Sequence, residues 1–265
     1  MKLDGRIALV LGAGQTPGET VGNGRASAMR YARSGATVIA ADRDLESAEA
    51  TAAMIVAEGG RCVARRADVT SEADLAALVE DVVSGFGRID VLHNNVGVSL
   101  SAGDAPVTEI TAEAFAAITA INLQGMVLTC KYVLPHMRAQ ESGVITNIGS
   151  IASAINHPLV AYRTTKAAVV SLTEHLAITN APYGIRVNCL LPGLIATPMA
   201  IDNPVRRGRP RDELVAERNA RVPLRGLMGT AWDVANAALF LASDDASFIT
   251  GAAIPIDGGQ ALNIG

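Results

Sequence analysis

The chain has 265 residues, of which 49% are apolar, 18% charged and only 3% aromatic, with a net charge of −4. That length holds one large or two small domains, and the core must be mostly Ala, Val, Ile and Leu, the composition of a parallel sheet buried on both faces. The negative balance argues against nucleic acid as a partner, three scattered cysteines (Cys62, Cys130, Cys189) imply a reducing, cytoplasmic setting, and neither a signal core nor a membrane-length apolar run is expected.

Short β-branched runs alternate with longer Ala-rich stretches. Strands are predicted at 7–12, 37–41, 61–67, 91–94, 144–148, 186–191 and 253–256, and helices at 24–34, 45–58, 72–86, 112–139, 160–181 and 231–242. Strict alternation implies right-handed crossovers and a single doubly wound α/β domain, with about seven parallel strands and helices on both faces. Residues 198–228 break the pattern with Pro204, Pro210, Pro223 and seven arginines, and are expected to form a lid-like insertion.

The first strand runs into Gly12-Ala13-Gly14, and a helix begins near Gly22-Asn23-Gly24-Arg25. Glycines at such a turn let the backbone approach a pyrophosphate, whose charge the helix N-terminus stabilises, as in a Rossmann-type dinucleotide site. Asp42 closes the second strand, where an acid accepts hydrogen bonds from the adenosine ribose hydroxyls and repels a 2′-phosphate. That favours NAD. Arg43 follows directly, however, and an arginine pairs a 2′-phosphate, so NADP stays open.

Tyr162 and Lys166 are one helical turn apart, with Ser150 twelve residues upstream of the tyrosine. A phenol titrates near pH ~10 and is a poor base at neutrality; an ammonium on the same helix face is expected to lower that value. A serine hydroxyl nearby could hold a substrate oxygen. The set suits proton transfer at a carbinol.

Together these residues resemble the short-chain dehydrogenase/reductase family over nearly the whole chain. Asn94-Asn95-Val96-Gly97 is similar to the family's strand end beside the cofactor, and Asp68-Val69 to the pair beside the adenine. Asn122, Ser150, Tyr162 and Lys166 match the catalytic tetrad. Pro192-Gly193, Ile195 and Thr197 resemble the segment that holds the nicotinamide carboxamide, and Asp257-Gly258-Gly259 the C-terminal ending. The resemblance implies NAD(P)-dependent hydride transfer with a secondary alcohol or ketone. In it Tyr162 is acid and base, Lys166 also binds the nicotinamide ribose, Ser150 positions the substrate oxygen, and Asn122 holds a water leading to solvent. It also implies a homotetramer built through the 112–139 and 160–181 helices and the last strand.

The chain departs from the family's Thr-Gly-x-x-x-Gly-x-Gly: Leu11 precedes Gly12, and ten residues separate Gly12 from Gly22. The extra residues, roughly 14–21 with Pro17 and Glu19, form either a flap over the cofactor or an outward bulge. Val96 stands where the family has alanine.

Other chemistries fit less well. Ser150 lacks the Gly-x-Ser-x-Gly elbow of a hydrolase, and His93, His136, His157 and His175 have no metal-ligand spacing, so no metal is expected. A non-catalytic dinucleotide-binding regulator and a 3-oxoacyl-acyl-carrier-protein reductase-like enzyme remain as alternatives. Ser153 is the reserve for Ser150, and His157 lines the substrate cavity or lies in a solvated loop.

Overall fold

The computed structural model describes residues 1–262. Seven parallel strands form the main sheet: β1 (Ile7–Leu11), β2 (Thr37–Asp42), β3 (Arg61–Arg66), β4 (Val91–Asn94), β5 (Gly143–Ile148), β6 (Ile185–Pro192) and β9 (Ala253–Ile256). Their order is β3-β2-β1-β4-β5-β6-β9, so the winding reverses between β1 and β4. At such a switch the loops leaving two neighbouring strands diverge, which opens a crevice at the strands' carboxyl ends.

Alternation along each strand feeds two cores. Ala8 and Val10 face α1 (Asn23–Ala32), α2 (Leu45–Ala57) and α9 (Ala231–Ala242), while Ile7, Leu9 and Leu11 face α3 (Glu72–Phe86), α5 (Gly125–Ala139) and α6 (Val160–Asn180). The doubly wound single domain expected from the alternation is therefore what forms.

Two details differ from the expectation, and a third gives the expected insertion its structure. The predicted 112–139 helix is divided into α4 (Ala112–Thr119) and α5 by a π turn at Ala120–Gln124. Counted across that turn, Ala112–Ala139 is long and apolar enough to cross a membrane by length and composition, against the expectation of no such run; 33% of its most apolar window is buried. The arginine-rich stretch is also more ordered than a plain loop. It contains a π turn at Pro198–Asp202, then α7 (Asn203–Arg206) and α8 (Arg211–Asn219), with a two-residue pairing of β7 (Ile195–Ala196) and β8 (Gly229–Thr230).

Candidate active site

The helix ends mark the crevice. Asp44, Ser71 and Thr111 cap α2, α3 and α4, and Thr230 with Asp233 forms a capping box on α9. The first of these helices in the chain, α1, begins at Gly22 with no side-chain cap and no acid in its first turn. Its leading amides stay available to an anion. A Cβ on Gly24 would collide with the carbonyl oxygen of Gly12, so α1 can approach the loop after β1 this closely only with glycine. Gly12, Gly14, Gly22, Asn23 and Gly24 thus line the turn expected to meet a pyrophosphate, and the Asn23 amide oxygen is buried without a partner.

At the end of β2, Asp42 accepts hydrogen bonds from the amides of Gly14 (3.0 Å) and Asp44 (3.1 Å). Burial pushes its carboxyl up, against those two bonds. Arg43 is exposed at the same edge, where its charge helps the Thr70 bonds hold Asp68 below the usual carboxylate range. Val69 lies against Gly125, at the start of α5.

Beyond β4 the two adjacent asparagines take different partners. Asn94 is buried, and its side chain is turned into the sheet, donating to Asn147 at 2.9 Å. The next residue, Asn95, reaches the glycine turn instead, donating to the Gly12 carbonyl at 3.0 Å. Strand alternation points the two asparagines to opposite sides, and only the second faces the turn. Val96 packs against the core from this loop, and Gly97 lies against the Lys166 ammonium.

The four tetrad positions converge over β5. Ser150 follows that strand, accepting from the Ala152 amide (3.1 Å) with its hydroxyl directed at the Pro192 carbonyl (3.5 Å). Tyr162 and Lys166 descend from α6, and the Lys166 Nζ lies 5.8 Å from the Tyr162 ring centre. Lys166 is buried and donates to the Ile148 carbonyl at 2.7 Å. Pro192 ends β6 beside Ser150 and Gly193 follows it, with Ile195 on β7 and Thr197 just before the 198–228 segment. Ser153 spends its hydroxyl on the Ser150 carbonyl, which removes it as a substitute.

Two electrostatic expectations change. Burial raises the Tyr162 phenol above its ordinary value, opposed by its hydrogen bond with Ser150. For the phenol, burial outweighs the lowering expected from Lys166, and burial also brings the Lys166 ammonium itself down to about 8. The Asn122 side chain is engaged through both its oxygen and its nitrogen. Its Oδ1 accepts from the Val98 amide (2.8 Å), while Nδ2 donates to the Val98 carbonyl (2.9 Å) and Thr165 Oγ1 (3.2 Å). Both amide protons are thereby spent, and Asn122 ties the loop after β4 to α6.

Asp104, at the end of the 98–104 stretch expected to border the substrate cavity, has a capping role that the sequence did not reveal. Leu159, the first boundary residue of α6, provides no cap. Asp104, buried and more than fifty residues upstream, accepts instead from Ala161 (3.1 Å) and Tyr162 (2.8 Å). It satisfies the orphan amide of the tyrosine itself. Only the Leu159 position, where a Ser, Thr, Asp or Asn would ordinarily stand, hinted at a remote cap. His157 proves to be half-buried against Tyr162, ring centres 5.5 Å apart, and burial lowers its pKa.

Comparison with known proteins places this arrangement. The family profile described as Enoyl-(Acyl carrier protein) reductase matches residues 19–261. The chain is 39% identical to 2-(R)-hydroxypropyl-CoM dehydrogenase of Xanthobacter autotrophicus, covering 96% of this chain and 97% of that one. A Burkholderia xenovorans structure described as a short-chain dehydrogenase/reductase superposes with TM-score 0.93 at 40% identity, covering 100% and 99%. NAD+-bound xylitol dehydrogenase superposes with TM-score 0.87 at 32% identity, covering 98% and 100%. This chain belongs to the short-chain dehydrogenase/reductase family. It is an oxidoreductase that transfers hydride between NAD(P) and a small secondary alcohol or ketone.

Proposed function

We propose that the chain oxidises a secondary alcohol, or reduces the matching ketone, with Tyr162 moving the carbinol proton. The observation that carries this reading is the convergence of Ser150, Tyr162 and Lys166 on one side of β5, with the Lys166 Nζ 5.8 Å from the Tyr162 ring centre and the Ser150 hydroxyl acting on the phenol. Ser150 orients the substrate oxygen and stabilises its developing charge. The Lys166 ammonium, 5.8 Å from the Tyr162 ring centre, supports the phenolate form through its charge. Asn122 and Asp104 hold the loop after β4 and α6 in one register, so the phenol meets the substrate oxygen at a fixed point. The bound dinucleotide supplies the hydride acceptor or donor. Gly12, Gly14, Gly22, Asn23 and Gly24 would hold its pyrophosphate, and Pro192, Gly193, Ile195 and Thr197 its nicotinamide end.

NAD is the preferred cofactor in this reading, because the Asp42 carboxylate stands where a 2′-phosphate would have to fit, whereas Arg43 is exposed. A homotetramer accounts for the apolar surface of the α4–α5 run, where Phe115 and Val127 are exposed, and for Phe248 just before β9. The 198–228 segment covers the substrate cavity, with His157 in its wall. The deciding experiment mixes the purified protein with NAD or NADP and a panel of secondary alcohols while reduced nicotinamide is monitored. Turnover with NAD is expected; no turnover together with no dinucleotide binding would sink the reading.

A further inference from the structure

The two departures from the family pattern, the lengthened glycine turn and the arginine-rich segment, are fastened to each other. Thr20 donates to Asp202 Oδ2 twice, from its amide (3.1 Å) and from its hydroxyl (2.6 Å). Arg211 donates to Asp202 Oδ1 (3.1 Å) and pairs with Glu19 (3.3 Å). Arg206 donates to the Pro17 carbonyl at 2.6 Å. A Cβ on Gly18 would run into the Asp202 carboxylate, which explains a glycine inside the extra residues. Asp202 is only 5% exposed, so its charge requires these partners. Burial opposes ionisation, but Thr20, Arg211 and the Glu19 amide together keep its carboxyl below the usual range.

The inner end of the turn is anchored as well. Gln15 donates from its side chain to the Thr20 carbonyl (3.2 Å) and accepts from the Gly22 amide (2.9 Å), at the first boundary residue of α1. Its backbone exchanges hydrogen bonds with Ser47 Oγ (2.7 and 2.9 Å). A polar chain therefore runs from Ser47 beside Asp42, through Gln15 and Thr20, to Asp202 and Arg211. Asp202 lies five residues beyond Thr197, the last position assigned to the nicotinamide end.

We propose that Asp202 is a positioning residue for the dinucleotide, locking the lengthened glycine turn into its binding conformation by pinning Thr20 to the base of the arginine-rich segment. Extra residues in a phosphate-binding turn add conformational freedom that binding must remove, and a latch present beforehand removes it in advance. The extra residues are thus an ordered clasp in contact with the lid, which answers the choice between flap and outward bulge. The same connection couples the two ends of the active site, because the segment that pins the turn also covers the substrate.

This inference rests on the reading of the glycine turn as the pyrophosphate site, and the test separates the two. Dinucleotide affinity is measured by titrating nicotinamide adenine dinucleotide into the full chain and into Asp202→Asn, Thr20→Val and Thr20→Ser, alongside melting of each free protein. Asp202→Asn and Thr20→Val should bind about tenfold more weakly, the loss of one hydrogen bond to a charged group. Thr20→Ser, which keeps the hydroxyl, should bind like the parent. Melting of the free Thr20→Val protein should stay near that of the parent, because its remaining contacts lie in a partly exposed turn. A parent that binds no dinucleotide would overturn the site reading itself. A parent that binds normally, with Thr20→Val and Asp202→Asn binding equally well, would overturn the latch alone. Equal weakening in Thr20→Ser and Thr20→Val would overturn the hydrogen-bond basis of the proposal.

Discussion

The α6 shoulder and the glycine-turn clasp both hold an active-site element in place, but by different means. At the shoulder, buried side chains satisfy backbone groups: Asn122 grips Val98, Asp104 takes the amides of Ala161 and Tyr162, and Lys166 meets the Ile148 carbonyl. At the clasp, charged groups meet across two loops, with Glu19 80% and Arg211 35% exposed. Salt screens the second kind far more than the first. The proton-transfer end is therefore held by buried contacts alone, and the cofactor-retaining end by a nearly buried Asp202 backed by an exposed outer pair.

The largest effect is expected at the shoulder. Tyr162→Phe should lower turnover by about 10²–10⁴-fold, the usual worth of a general acid or base, with dinucleotide affinity near the parent's in a binding titration. A variant that retains most of its activity would remove Tyr162 from the chemistry.

Lys166 tests the cost of the buried site. Its folded pKa, about 8, lies below the ordinary value of 10.5, so between these the unfolded chain holds a proton that the folded chain has lost. Stability should then rise with pH from about 8 to 10.5, by on the order of 3 kcal/mol for a shift of this size. Lys166→Met should lack that rise in denaturant titrations at stepped pH. Parallel stability curves for the two proteins would contradict the burial of a charged lysine.

Asp104 is next. Asp104→Ala leaves two helix-end amides without their acceptor and should cost about 1–3 kcal/mol of stability, with kcat reduced and dinucleotide affinity kept. Asp104→Asn, with one acceptor oxygen left, should fall between. If the alanine variant melts and turns over like the parent, α6 does not depend on its remote cap.

The smallest effect concerns the far end of the crevice. Asp42→Ala should shift the NAD/NADP ratio of kcat/KM towards NADP by about tenfold, roughly 1.4 kcal/mol. Because Asp42 also holds the Gly14 and Asp44 amides, affinity for both dinucleotides should weaken. An unchanged ratio would show that Asp42 serves only the turn.

How much was legible beforehand follows from the range of the interactions. Apolar periodicity is local, so all seven main-sheet strands and the long helices could be placed, and the ordered motifs located Ser150, Tyr162, Lys166 and Asn122. What those residues do to one another was less accessible. Tyr162 and Lys166 share a helix face, which suggested a depressed phenol, yet burial, a product of packing around α6, reverses the direction. Adjacent in sequence, Asn94 and Asn95 were separable only once strand alternation had turned one into the sheet.

The sequence by itself determined the fold class, the order of the site-forming motifs and the presence of two unusual segments, because each is written in spacing and composition along one stretch of chain. Tertiary structure decided the partnerships. Asp104 and Tyr162 are 58 residues apart, and Thr20 and Asp202 are 182 apart. A carboxylate carries no mark of which distant amide it will accept from, and only the closing of the sheet, which brings the strand ends to one edge, selects the pair.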